Sequence, residues 1–227
     1  MPPSAPAGPN PCAENPNTMS FLAFLVAAIV LAITPGPGIA YVVARTVAGG
    51  RSEGLASCIG TGLGGMLHVF AAALGLSLLV AQSAVAFNAV KYVGAAYLVY
   101  LGIRMLLRKE EPFNVQAVSS QGAQGARRAL FEGIVVEALN VKTALFFLAF
   151  LPQFVSSNAS LVPQLVLLGT ICVVLNTLVD VVAVFMAHRL LESGAARVAR
   201  ARLLTRVSGG TMIGLGAFLA LARREAQ

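Results

Sequence analysis

From Asn15 to Ala44 the chain carries no Asp, Glu, Lys or Arg, and residues 19–33 are almost wholly Leu, Ala, Val, Ile and Phe. An uncharged run of that length is long enough to cross a bilayer. It is interrupted by Thr34-Pro35-Gly36-Pro37-Gly38. The two prolines remove two backbone donors and push the residues before them out of α geometry. The two glycines add backbone freedom. The helix is therefore expected to break partway across. A break in hydrocarbon leaves N–H and C=O groups unsatisfied, so it survives only where it lines a cavity or is buried in protein. Broken helices of this kind hold substrate near the midplane in transporters. A plain packing kink is the alternative, but two prolines and two glycines in consecutive positions exceed what a kink needs.

Composition supports an integral membrane protein. Of 227 residues, 57% are hydrophobic and only 11% charged, against roughly 25% charged in soluble domains. The net charge of +7 does not point to nucleic acid, because the basic residues lie in short connectors between apolar runs. Cys12, Cys58 and Cys172 are far apart and form no CxxC, so neither a disulfide framework nor a zinc site is legible.

Residues 1–18 hold Pro2, Pro3, Pro6, Pro9, Pro11 and Pro16 and no Lys or Arg. They are expected to be a disordered Pro-rich tail rather than a secretory signal peptide, which would need a basic n-region. Helices are expected at about 19–45, 54–82, 84–107, 129–155, 163–188 and 203–222. Connectors fall at 46–53, 108–128, 156–163 and 189–202. The longest, 108–128, should be mobile and aqueous, and 189–202 could form an amphipathic surface helix. Residues 19–227 thus read as a single six-helix domain, with halves of about 19–107 and 129–222 joined by a cytoplasmic linker. Alternate connectors carry twelve Lys and Arg against three, with Lys142 left inside a span. The positive-inside rule places both termini outside. Three spans per half make the halves antiparallel, with the Pro-Gly break and Asn140-Val141-Lys142 in matching first helices. The expected fold is all-α: six transmembrane helices as two inverted three-helix repeats with broken first and fourth helices.

Ionisable groups inside a span are expensive and usually paired or functional. Lys142 lies about 20 Å from the inner end of its helix, and Asp180 about 12 Å in. Asn176 is one turn from Asp180, and Glu137 shares a face with Asn140. Such donors and carboxylates suit a zwitterion, which carries both charges. The candidate substrate-binding residues are Pro35, Gly36, Pro37, Gly38, Asn140, Lys142, Asp180 and Asn176. His68, Glu137 and Asp180 are candidates for proton coupling. Other readings stay open here. Lys142 and Asp180 could be a buried ion pair that fixes packing. Glu137 could face water near the inner surface, and His68 could be a packing residue. Gly60, Gly64 and Gly65 read as helix-contact positions.

Together these residues resemble the lysine exporter / homoserine–threonine exporter (LysE/RhtB) family over nearly the whole chain after the tail. The resemblance is carried by Thr34-Pro35-Gly36-Pro37-Gly38, then Gly54, Gly60, Gly64 and His68. It continues in Lys91-Tyr92-Val93-Gly94-Ala95-Ala96-Tyr97-Leu98-Val99-Tyr100-Leu101-Gly102, and in Phe131, Gly133, Asn140, Lys142 and Leu151-Pro152-Gln153-Phe154. One position departs: Val141 stands where the family has Pro between Asn and Lys, so the fourth helix is expected to be less broken. The resemblance implies export of amino acids or similar metabolites across the bacterial inner membrane, driven by the proton motive force. No cofactor is implied. The partners are a small zwitterionic substrate, a coupling proton and the lipid bilayer, not nucleic acid. Glycine-rich faces would permit a homodimer.

No GxxxxGK[ST] loop is present, in keeping with secondary transport. A membrane thiol–disulfide carrier would use Cys58 and Cys172 of the second and fifth helices, but neither sits at a break. A divalent-cation exporter would want several carboxylates at the breaks, where only Glu137 and Asp180 are candidates. No G-x-S-x-G, HExxH or paired carboxylates suggest an enzyme.

Overall fold

The computed structural model describes residues 16–82, 84–107, 122–156 and 159–191, with short helical pieces at 206–207, 209–210, 213–217 and 220–221. All described regular structure is helical. Helix α1 spans Pro16–Ile33. It begins in the segment read as tail, because proline's fixed φ and missing N–H suit the first helical position. Residues 1–15 lie outside the described part. The helix stops at Thr34, where Pro35 forbids α geometry in the residue before it. The Thr34 N–H and hydroxyl both turn back to the last turn, with Oγ1 donating to Val30 O at 2.6 Å.

Helix α2 spans Pro37–Gln82. Pro37 again opens a helix, so the break is confined to residues 34–36. The expected connector at 46–53 is mostly helical instead. The chain turns at Gly50 alone (φ 76°, ψ −173°), a conformation essentially reserved for glycine. One residue suffices because it supplies the whole change of direction.

Helix α3 spans Ala84–Leu107 and α4 spans Ala126–Ala138. Arg127 and Arg128 therefore belong to α4 and not to the connector before it. Nor is the end of that connector mobile: Gly122, Gln124 and Gly125 are hydrogen-bonded to Arg45 and Glu53. Residues 108–121 lie outside the described part. After α4 the chain bends by 46° into α5, Val141–Leu145. A π turn at Phe146–Phe150 and a 3₁₀ turn at Leu151–Phe154 follow. Helix α6 spans Leu161–Leu191, so Arg189 is helical. The rest of the proposed surface helix at 192–202 lies outside the described residues.

The break between α4 and α5 needs no proline, which corrects the expectation drawn from Val141. Asn140 takes an extended conformation (φ −75°, ψ 97°), and its side chain caps α5 by accepting from the Lys142 N–H at 3.1 Å. A capping Asn ends one helix and starts the next without help from the ring. Val141 occupies the first helical position and its neighbour is already extended. Val141→Pro is therefore expected to leave the fold intact and to raise stability by up to about 1 kcal/mol. Thermal unfolding in detergent checks this; a clear fall in melting temperature would mean the Val141 N–H or side chain is needed.

Among the described residues, two helices, Pro37–Gly75 and Leu161–Ala187, are long and apolar enough to span a membrane, and the bent pair Ala126–Ala138 with Val141–Phe154 makes a third if it is one span. Along α2, Ile59, Leu63, Leu67, Phe70 and Leu74 are exposed at helical spacing, the pattern of a lipid-facing stripe. The opposite face packs through small residues. Gly60 and Gly64 lie against Leu130, Gly133 and Ile134 of α4, and Gly65 against Val173 of α6. Close backbone approach of this kind is how helices associate in lipid. An aromatic stack of Phe146 on Phe150 (4.8 Å) and Phe150 on Phe154 (4.9 Å), with Phe24 against Phe154 (5.6 Å), fills the core beside the second break.

Candidate functional site

The two breaks meet. Lys142, in the first turn of α5, donates from Nζ to Thr34 O at 2.7 Å and to Leu31 O at 3.1 Å. These are carbonyls at the C-terminus of α1, where Leu31 O also accepts the Thr34 N–H at 3.2 Å and the helix has no further turn to continue the pattern. Glu137, in the last turn of α4, lies against the start of α2: a Cβ added to Gly38 would be 2.6 Å from its Oε2. Both charges sit at the wrong ends of their own half-helices and at the right ends of the other broken helix. A cation belongs at a helix C-terminus and an anion at an N-terminus, each worth about 0.3–1 kcal/mol or more when partly buried.

Asn140 ties the charges together. Its Oδ1 accepts from the Lys142 N–H, so its Nδ2 is the atom that donates to Glu137 Oε2, at 3.0 Å. Thr143 Oγ1 donates to Glu137 Oε1 at 2.7 Å. Glu137 is 8% exposed, so it is turned inward and not toward bulk water at the surface. From α2, His68 Nε2 lies 2.8 Å from Glu137 O. A carbonyl can only accept, so Nε2 carries the proton. Across the space, Asp180 of α6 is 6% exposed and accepts from Thr61 Oγ1 of α2 at 3.0 Å. Lys142 forms no ion pair with Asp180 or Glu137 among the described residues, so the packing-pair reading of Lys142 and Asp180 does not hold. The carbonyls of the first break take that place.

These groups line one cavity, with Gly36, Gly38, Asn140, Lys142, Asn176 and Asp180 all on its wall beside Glu137. Pro35 and Pro37 do not line it; Pro37 is exposed. The prolines make the break, and the glycines let charged side chains reach its backbone. A Cβ at Gly36 would lie 3.2 Å from Lys142 Nζ. His68 stands behind Glu137 rather than on the wall. Thr34, Thr61, Thr143 and Thr177 also line it. None of them was a candidate from sequence, since a threonine in an apolar helix commonly bonds its own backbone, as Thr170 does here.

The space open to the centres of water molecules is about 30 Å³. A single water needs roughly 10–15 Å³ on that measure. The cavity therefore admits a few waters and is closed to an amino acid in this conformation. Cys58 and Cys172 are buried in separate apolar clusters and neither lines the cavity, which gives a thiol–disulfide mechanism no surface to work from.

A family model described as LysE type translocator matches residues 29–223. The chain is 30% identical over 207 residues to an "uncharacterized membrane protein" of Vibrio cholerae, covering 89% of this chain and 97% of the relative. It is 31% identical over 166 residues to the Bacillus subtilis "uncharacterized membrane protein YrhP", covering 70% and 79%. It is 29% identical over 210 residues to a protein of Klebsiella pneumoniae named leucine efflux protein, covering 92% and 95%. No solved structure matches.

Proposed function

The chain belongs to the LysE type translocator family, and from that premise we propose that it is a secondary transporter exporting amino acids from the cytoplasm across the bacterial inner membrane. The observation that carries this reading is the crossing of two broken helices around a polar cavity. Lys142 uses two of its three N–H donors on α1 carbonyls, which leaves one for a substrate carboxylate. Asp180 Oδ2 is held by Thr61, and its second oxygen is the acceptor for a substrate ammonium. Asn140 and Asn176 flank these two. Leucine is the first substrate to try, because that is what the Klebsiella relative is named for. Ala32, Ile39 and Val173 on the wall suit an aliphatic side chain.

In this reading the chain has six spans in two inverted halves with both termini outside, forming one domain after the tail. The helix Pro37–Gly75 supports the division: at 1.5 Å per residue its 39 residues run about 58 Å, roughly twice the hydrocarbon thickness. The turn at Gly50 makes it parts of two spans. Rocking of one half on the other alternates access to the cavity.

Proton coupling falls to Asp180, with Glu137 and His68 as the neighbouring relay. The Thr61 hydroxyl donates or accepts equally well, so Asp180 gains or loses a proton without stranding its partner. Charged neighbours on the cavity wall are Lys142 and Glu137. The test is efflux of labelled leucine from proteoliposomes with and without a pH gradient. Wild type is expected to respond to the gradient. Asp180→Asn, which keeps the Thr61 hydrogen bond but replaces the oxygen that accepts the substrate ammonium by an NH2 donor, is expected to bind leucine more weakly and to leave any residual exchange without a response to the gradient. No transport of any amino acid by well-folded wild type would defeat the export reading.

A further inference from the structure

Between the cavity and one end of the bundle, α2 and α4 are closed against each other by two polar rungs. At the cavity, Gly38 faces Glu137. One turn further along α2, Tyr41 OH lies 3.1 Å from both Ala129 O and Glu132 Oε2. A further turn on, Arg45 is fully buried, about 10 Å from Gly38 along the helix. Burying a guanidinium is costly unless it is paired and hydrogen-bonded. Its partner is Glu53, from the far side of the Gly50 turn. Arg45 donates from Nη2 to Glu53 Oε2 at 2.5 Å and from Nε at 3.2 Å, and also from Nη2 to Gly122 O at 2.9 Å. Glu53 Oε1 in turn accepts the N–H groups of Gln124 at 2.7 Å and Gly125 at 2.6 Å. One carboxylate thus joins the end of the first span, the start of the second and the end of the linker that leads into the second half.

We propose that this seam is the cytoplasmic gate of the cavity and that Glu53 is its latch. The proposal rests on the export reading and on the orientation that follows from Arg45, Arg51, Arg127 and Arg128 clustering at this end. Opening requires Glu53 to release the Gln124 and Gly125 N–H groups and Tyr41 to release α4. Gly50 (φ 76°), beside the latch, is the hinge about which the two parts of α2 separate. A substrate entering along the opened seam reaches Glu137, Lys142 and Asp180 directly.

The test follows a cysteine placed in the cavity, Thr177→Cys, in a background with Cys12, Cys58 and Cys172 changed to Ala. A membrane-impermeant maleimide is applied to inside-out and right-side-out vesicles. Glu53→Ala is expected to raise labelling from the cytoplasmic face about tenfold, which corresponds to about 1.4 kcal/mol. The exchange Arg45→Glu with Glu53→Arg restores opposite charges but cannot accept from Gln124 and Gly125. It is expected to stay open, whereas a merely structural ion pair would close again. Tyr41→Phe removes the other rung and carries the test if Glu53→Ala fails to accumulate. Unchanged labelling in folded variants, or a rise from the outer face only, overturns the gate. A wild type that transports nothing while its latch variants open defeats the export reading and leaves the gate standing.

Discussion

Lys142→Ala is expected to reduce efflux roughly 10- to 100-fold or more while the protein still inserts. A charge-assisted hydrogen bond to a substrate carboxylate is worth about 1.5–3 kcal/mol, and each 1.4 kcal/mol is a factor of ten. A second loss comes from within the protein. Thr34 O and Leu31 O, at the end of α1, lose their ammonium partner, so the first break loses its defined shape. Leu31 O keeps the Thr34 N–H at 3.2 Å, and the helix itself should persist. Lys142→Arg separates the two effects: the guanidinium can still reach the carbonyls but not with an ammonium's compact geometry. It is expected to insert as the wild type does and to restore thermal stability to near wild type, but efflux only in part. Full efflux by Lys142→Ala in proteoliposomes would remove Lys142 from the substrate path.

Gly60→Ala is expected to have the largest effect on folding of any single methyl added to the chain. The new Cβ would run into Leu130 O and lie 3.1 Å from Gly133 Cα. Both obstacles are backbone, so no rotamer change relieves them. Helices α2 and α4 must move apart, and the close contact that joins them at the site loosens. Overpacking costs about 1–3 kcal/mol or more, enough to reduce folded protein severely in a marginally stable chain. Gly75→Ala is the control, since nothing lies within 4 Å of a Cβ there, and alanine is the better helix former. Yield of monodisperse protein and its melting temperature distinguish the two. Equal behaviour would mean that the α2–α4 contact is not as close as described.

The Pro-Gly break was legible because its cause is local: proline and glycine act on their own backbone wherever they stand. The roles of Gly60 and Gly64 were legible because small residues at helical spacing have few other uses in an apolar helix. The second break was legible at Asn140 and Lys142, but as a weaker one for lack of a proline, when the capping side chain of Asn140 ends one helix and starts the next through a hydrogen bond. The linker end at 122–125 looked free because its partners, Arg45 and Glu53, are about seventy residues away in sequence. The pairing of Lys142 was also hidden, since its partners are backbone carbonyls that every residue possesses.

By itself, the sequence determined that this chain is helical and belongs in a membrane, where its first helix breaks, and which rare charges lie deep within it. Those follow from hydropathy and local backbone chemistry. Only the tertiary structure decided that both sides of the first break are met by charges from the second, that the glycines rather than the prolines face the cavity, and that one carboxylate joins Arg45 to the linker end at Gln124 and Gly125. Helix ends carry partial charges that any passing side chain can answer, and which side chain does so depends on how the helices cross.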